Sequence, residues 1–246
     1  MVTKLNMRPL SEEVARNYDS GCYGPSHMQT YRNFRNETLA RTIAGRFGDE
    51  RSVKVLDVGC GTGLVLEYLS SLPARHELHG MDFSEPMLQK AREKAAGLEN
   101  PPTLVYGSAY EIPYPDGAFD MVCSSRFIHQ FTHEDKKRVL EEMYRVTRPG
   151  GVVAVEFYAR PHYLFQWYAM PWRRKRDWKT HFAHYPTAAE VREVAGRPFE
   201  IVPVRLIGAR VWRALAGDAG LRKLTEAARH APLGLLKDEY FVVINQ

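Results

Sequence analysis

Cysteine is scarce in this 246-residue chain. The three present, Cys22, Cys60 and Cys123, are odd in number and far apart, which argues against a disulfide framework or a structural zinc site. A reducing, cytoplasmic setting is the simplest expectation. Long hydrophobic runs are missing too, since no stretch approaches the ~20 apolar residues that a membrane-spanning helix needs. Lys4 and Arg8 are followed by no apolar segment, so no signal peptide is expected. There is no internal repeat, no low-complexity tract and no Gly-Lys-Ser/Thr to mark a triphosphate-binding loop. Glu156, His162, His181 and His184 form no metal-ligand spacing with a second helical or hairpin partner, and no metal is expected. The net charge of +5 is modest and does not indicate nucleic acid as a partner.

With 44% hydrophobic residues the chain can bury a substantial core, and an α/β chain of this length reads as one domain. Strand and helix patterns alternate, which implies a mostly parallel sheet. Residues 11–47 read as helical. Strands are expected near 53–58, 77–81, 103–106, 119–124, 152–158, 199–205 and 240–244, with a short helix over 187–195. Pro149-Gly150-Gly151 reads as a turn that ends the helix before the fifth strand.

The densest signal is Val53-Lys-Val-Leu-Asp-Val-Gly-Cys-Gly-Thr-Gly63. Val53, Val55, Leu56 and Val58 suit a parallel strand covered on both faces, and the helical pattern Leu64-Val-Leu-Glu-Tyr-Leu69 follows. Gly59, Gly61 and Gly63 let the backbone approach a ligand closely. A dinucleotide fingerprint would place its third glycine at Leu64, so pyrophosphate loses weight. Asp57 lies at the strand's carboxyl end, where ligands sit in open α/β sheets. The next strand ends in Asp82, about 20 residues past the turn, where a carboxylate suits the two hydroxyls of a ribose. The plainer reading makes Asp82 a cap for the helix that begins near Glu85-Pro86.

Together with Gly80-Met-Asp-Phe-Ser-Glu-Pro-Met-Leu88, Gly107-Ser-Ala-Tyr-Glu-Ile-Pro-Tyr-Pro-Asp-Gly-Ala-Phe-Asp120 and Arg145-Val-Thr-Arg-Pro-Gly-Gly151, this stretch resembles the class I S-adenosylmethionine (SAM) methyltransferases. The similarity is greatest to the ubiquinone and menaquinone biosynthesis methyltransferases, and its four motifs span about residues 50–158. The resemblance implies a three-layer, Rossmann-like α/β fold of seven strands, mostly parallel with an antiparallel last strand, and SAM as cofactor. It assigns the methionine end of the cofactor to Asp57, Gly59 and Gly61, and the ribose to Asp82. Phe83 and Met87 would flank the adenine, which flat and polarizable side chains suit. The family usually has an acid and a small residue after the third strand, the acid reading the adenine amino group. Here Ser108-Ala109 stands in their place, and serine brings no charge. Ser125, just past the fourth strand, is the last expected cofactor contact.

The resemblance divides the chain into an N-terminal helical lid (1–50), a SAM-binding core (51–158), an aromatic and basic insert (159–198) and C-terminal strands with a helical extension (199–246). Tyr18, in the segment before the core, either closes over the cofactor or packs a helix against the sheet. The stretch 159–185 holds Trp167, Trp172 and Trp178 beside Tyr163, Phe165, Tyr168 and Phe182, a composition suited to an apolar acceptor pocket. Its cluster Arg173-Arg-Lys-Arg176 leaves three readings open: an anionic acceptor, contact with a membrane surface, and a solvated face. In the extension, Val211, Leu215, Leu221, Leu224 and Ala228 recur at helical spacing, which reads as core packing, with docking of a lipophilic acceptor against the insert and the extension as the other reading.

The reaction implied is in-line transfer of a methyl group to a small, aromatic or lipophilic acceptor. His129, in Cys123-Ser-Ser-Arg-Phe-Ile-His-Gln130, is the candidate base where the acceptor must lose a proton. Glu156, His162, His181 and His184 are weaker candidates. Cys123 reads as a small buried residue rather than a nucleophile. No Asp/Asn-Pro-Pro-aromatic turn follows the fourth strand, where Ser124-Ser-Arg-Phe127 stands, which disfavours nucleic-acid and glutamine-amide methylation. The alternative from another class is a SAM-binding protein that has lost methyl transfer or catalyses a different reaction.

Overall fold

The computed structural model describes residues 26–158, 188–206 and 237–245, together with seven helical positions between Leu215 and Ala227. Tyr18, Cys22, His162, His181, His184 and the aromatic and basic stretch of the insert lie outside the described residues. Two compact units divide the chain, Met1–Tyr114 and Pro115–Gln246. The strands make a seven-strand mixed sheet, as expected.

In the first unit, helix α1 (Ser26–Phe47) precedes strand β1 (Lys54–Val58). Among its described side chains Arg35, Asn36, Leu39 and Ile43 are buried; Leu39 lies four and three residues past Arg35 and Asn36 and Ile43 four past Leu39, which puts them on one face. Helix α2 (Leu64–Ser70), strand β2 (Glu77–Asp82), helix α3 (Glu85–Ala95) and strand β3 (Thr103–Tyr106) complete the unit. Strand β2 lies between β1 and β3 and is parallel to both; Asp57 is in register with Gly80, and Asp82 with Tyr106. Val55, Leu56 and Val58 are fully buried, as a strand covered on both faces requires. Gly80 explains how closely α2 and β3 pack on β2: an added Cβ would stand 2.5 Å from Leu66 Cδ1 and 2.9 Å from Leu104 Cδ2.

In the second unit, strand β4 (Phe119–Ser124) leads through a 3₁₀ turn (Ile128–Gln130) into helix α4 (His133–Val146). Thr132 caps α4, its side chain accepting the Asp135 N–H. Strand β5 (Thr147–Tyr158) follows, then helix α5 (Ala188–Ala195) and strands β6 (Phe199–Leu206) and β7 (Lys237–Asn245). Strand β5 is parallel to β4, and β7 inserts antiparallel between β5 and β6. The expected antiparallel last strand is thus present. Pro203 fits because β6 pairs only with β7, so its other edge needs no N–H.

Two expectations need correction. Pro149-Gly150-Gly151 is not a turn outside the sheet, because β5 already begins at Thr147. Thr147 pairs with Phe119, the register shifts before Met121, and Gly150 at φ 75° absorbs the irregularity. A Cβ on Gly151 would meet the Asp120 carbonyl at 2.7 Å. In the extension, Leu215 is 75% exposed and does not pack in a core. Leu215 and Leu224 are nine residues apart, which puts them on opposite sides of a regular helix at 3.6 residues per turn, and Gly217 at φ 67° departs from helical geometry.

Candidate functional site

The first unit carries a cradle at the carboxyl ends of β1 and β2. Gly59, Gly61 and Gly63 adopt φ values of 75°, 56° and 77°, a left-handed alternation closed to most side chains. The N–H groups of Gly59 and Cys60 both donate to the Met81 carbonyl, at 2.8 and 3.0 Å, and Gly63 N–H donates to the Cys60 carbonyl at 2.9 Å. The turn is therefore pinned to β2. Its glycines divide the work. A Cβ on Gly63 would lie 3.3 Å from Ala91 Cβ, so that residue permits close packing of α3. A Cβ on Gly61 would meet nothing within 4 Å, which leaves the space beside the turn open to a ligand. Leu64 begins α2, and its carbonyl accepts the Asn36 side-chain amide at 3.3 Å.

Asp82 spans the cradle. Its Oδ2 accepts the Gly61 N–H at 2.8 Å and its Oδ1 accepts the Ser84 N–H at 2.9 Å. Burial raises the pKa of Asp82 above the usual carboxylate value, against the lowering effect of the Gly61, Ser84 and Phe83 N–H groups. Asp82 does not occupy the cap position of α3; Ser84 does, with Pro86 in the first turn. Besides these backbone donors the two carboxylate oxygens keep lone pairs to spare, which fits the two hydroxyl donors of a ribose. Asp57, 2% exposed, lies beside the same turn. Burial, and then the charges of Asp57 and Asp82, push the Cys60 thiol well above its ordinary pKa, so it stays protonated.

Phe83 follows β2 half-buried, and its ring meets that of Tyr106 at a centroid distance of 5.3 Å and an angle of 33°. Met87 is only 2% exposed and belongs, with Leu88, Ala91 and Ala95, to the buried face of α3. Ser108 Oγ accepts the Tyr110 N–H at 3.3 Å, and Ala109 is buried. Tyr106 beside Phe83 was not singled out from the sequence. The signal was an aromatic at the carboxyl end of β3, in register with Asp82.

The second unit gathers a separate set. Glu156, fully buried on β5, accepts the Ser125 hydroxyl at 2.6 Å and the Arg126 N–H at 3.0 Å through one oxygen. Arg126 has φ 56°, a left-handed value for a non-glycine residue. His129 stands in the 3₁₀ turn between the buried side chains of Ile128 and Phe131, with Phe131 edge-on to Phe127 at 4.8 Å. Cys60 and Cys123 are buried, and neither forms a disulfide. No cluster of three or more metal-ligating side chains occurs among the described residues.

A family profile described as a methyltransferase domain matches residues 55–151. The chain is 32% identical over 170 residues to the demethylmenaquinone methyltransferase of Oceanobacillus iheyensis, covering 65% of this chain and 68% of that one. This chain belongs to the class I SAM-dependent methyltransferases, in the menaquinone group. Its demethylmenaquinone methyltransferase relative from Geobacillus stearothermophilus is 29% identical over 198 residues, which cover 76% of this methyltransferase and 80% of the relative. The fold agrees. A SAM-dependent methyltransferase structure from Aquifex aeolicus superposes with a TM-score of 0.57 at 20% identity, covering 96% and 98% of the two chains. The enzyme uses SAM to transfer methyl groups, and the open glycine turn beside Asp82 fits that cofactor. Among the described residues no helix is long and apolar enough to cross a membrane.

Proposed function

We propose that this methyltransferase, acting in the cytoplasm, methylates a quinone-type acceptor, a small lipophilic aromatic molecule. The observation that carries the reading is that relatives named demethylmenaquinone methyltransferase align over 65% and 76% of this chain. The three tryptophans of the insert supply apolar surface for such a molecule, and the cluster Arg173-Arg-Lys-Arg176 suits an anionic membrane surface, where a lipophilic acceptor partitions. The four segments 1–50, 51–158, 159–198 and 199–246 act in this reading as one catalytic domain.

Asp57, Gly59 and Gly61 hold the methionine end of the cofactor, Asp82 accepts the ribose hydroxyls, and Phe83 and Met87 line the adenine. Ser108, Ala109 and Ser125 complete the contacts, and Tyr18 covers them. Bound SAM supplies a methyl group already activated on a sulfonium. The residues therefore need chiefly to align the acceptor and exclude water, contributions worth ~7–11 kcal/mol when alignment is good. His129 takes the proton released as the acceptor is methylated.

The test is incubation with methyl-labelled SAM and a short-chain demethylated quinol, beside a panel of phenols and amines. Label is expected on the quinol, with S-adenosylhomocysteine as the second product. His129→Ala is expected to lower kcat by about 10²–10⁴-fold while leaving S-adenosylhomocysteine affinity unchanged. Tight SAM binding without transfer to any acceptor would overturn the proposal.

A further inference from the structure

We propose that Tyr106 is a specificity-determining residue of the cofactor site. With Phe83 it forms an aromatic corner that selects the purine by its face rather than by its exocyclic amino group. The inference rests on the cofactor placement proposed above.

Tyr106 is 51% exposed although it ends a sheet strand. It is in register with Asp82, the residue opposite the ribose, and its ring is tilted only 33° from that of Phe83. The two rings pack on each other at 5.3 Å beside a ribose-binding acid, so a base stacks on the open face of the pair, and such stacking is insensitive to the substituents on the base edge.

The edge itself has little to read it. An amino group is best recognised by a carboxylate, which accepts strongly and carries charge. Past Tyr106 the chain offers Ser108, a neutral hydroxyl already accepting from Tyr110 N–H, and then the buried methyl of Ala109. The next carboxylate along the chain, Glu111, is exposed and therefore screened by water. Adenine and hypoxanthine share the purine face and differ at that edge, where an amino group is replaced by a carbonyl. The aromatic corner accepts both.

Calorimetric titration with S-adenosylhomocysteine and its deaminated analogue S-inosylhomocysteine tests this. Wild type is expected to bind the two within about threefold of each other. Tyr106→Ala is expected to weaken both by about tenfold, as loss of one stacking partner implies, and Tyr106→Phe to restore both. Ser108→Asp is expected to create a preference of at least about tenfold for the adenosyl compound. Melting temperatures of the variants separate lost contacts from lost folding, and the Phe variant keeps the test valid if the Ala variant unfolds. Failure of wild type to bind S-adenosylhomocysteine would overturn the cofactor placement. Normal binding with rejection of the inosyl compound by tenfold or more, or with Tyr106→Ala unaffected, would overturn the role of Tyr106 alone.

Discussion

The carboxylate of Asp82 accepts the Gly61 N–H at 2.8 Å, so the acid that ends β2 fastens the turn that follows β1. The shape of the turn therefore depends on this side chain, and in the proposed site cofactor binding does too. Asp82→Asn replaces one acceptor oxygen with a donor, and a hydrogen bond to a charged group is worth about 1.5–3 kcal/mol. A loss of about 10- to 100-fold in S-adenosylhomocysteine affinity is expected.

The pH dependence of Asp82 separates binding from folding. Burial raises its folded pKa, so as pH falls through that value the native state takes up a proton that the unfolded chain does not yet hold. This contribution to stability rises on acidification, while affinity for the ribose hydroxyls falls. In Asp82→Asn both trends are expected to flatten. Titrations paired with denaturant unfolding across the acidic range check the opposite signs.

Gly80 tests the packing beneath the cradle. An added Cβ would come within 2.5 Å of Leu66, 2.9 Å of Leu104 and 3.0 Å of Cys60 Sγ. Gly80→Ala is expected to destabilise by about 1–3 kcal/mol, the range for overpacked cores. An unchanged melting temperature would mean that α2 and β3 yield freely.

Glu156 tests the second unit. Its one oxygen holds both the Ser125 hydroxyl and the N–H of left-handed Arg126. Glu156→Gln keeps a neutral acceptor, whereas Glu156→Ala takes the acceptor away from both half-buried donors. The Ala variant is expected to melt well below the Gln variant. Equal losses would show that packing volume, rather than the hydrogen bonds, holds the turn.

Lys136 is fully buried on α4, and burial pushes its pKa down to about 8, against the attraction of Glu190. Between that value and the ordinary 10.5 the unfolded chain binds more protons than the folded one, so stability rises with pH through this window. Unfolding free energies of wild type are expected to climb there, and those of Lys136→Met to lack this rise.

Much of the first unit was legible because its residues obey local rules. Val53–Val58 reads as a covered strand, and three alternating glycines announce left-handed backbone. Other features depend on distant neighbours. Thr147 looks like the end of a helix until Phe119 pairs with it. Met87 carries the helical pattern of α3, but that it is buried with Leu88, Ala91 and Ala95 depends on what packs against that helix. Tyr106 carries no motif, and only its approach to Phe83 singles it out. Leu215 follows helical spacing, yet no neighbour covers it.

The placement of β7 also bears on synthesis. Residues 237–245 run between β5 and β6, and Phe241, Val242 and Ile244 are fully buried there. While the ribosome is still making the preceding segment, β5 and β6 lack the strand that joins them. Each then presents an edge whose backbone groups have not yet met β7, of the kind that invites pairing with another chain. The second unit therefore completes its sheet only once β7 has been inserted, and a pause before residue 237 leaves those edges uncovered.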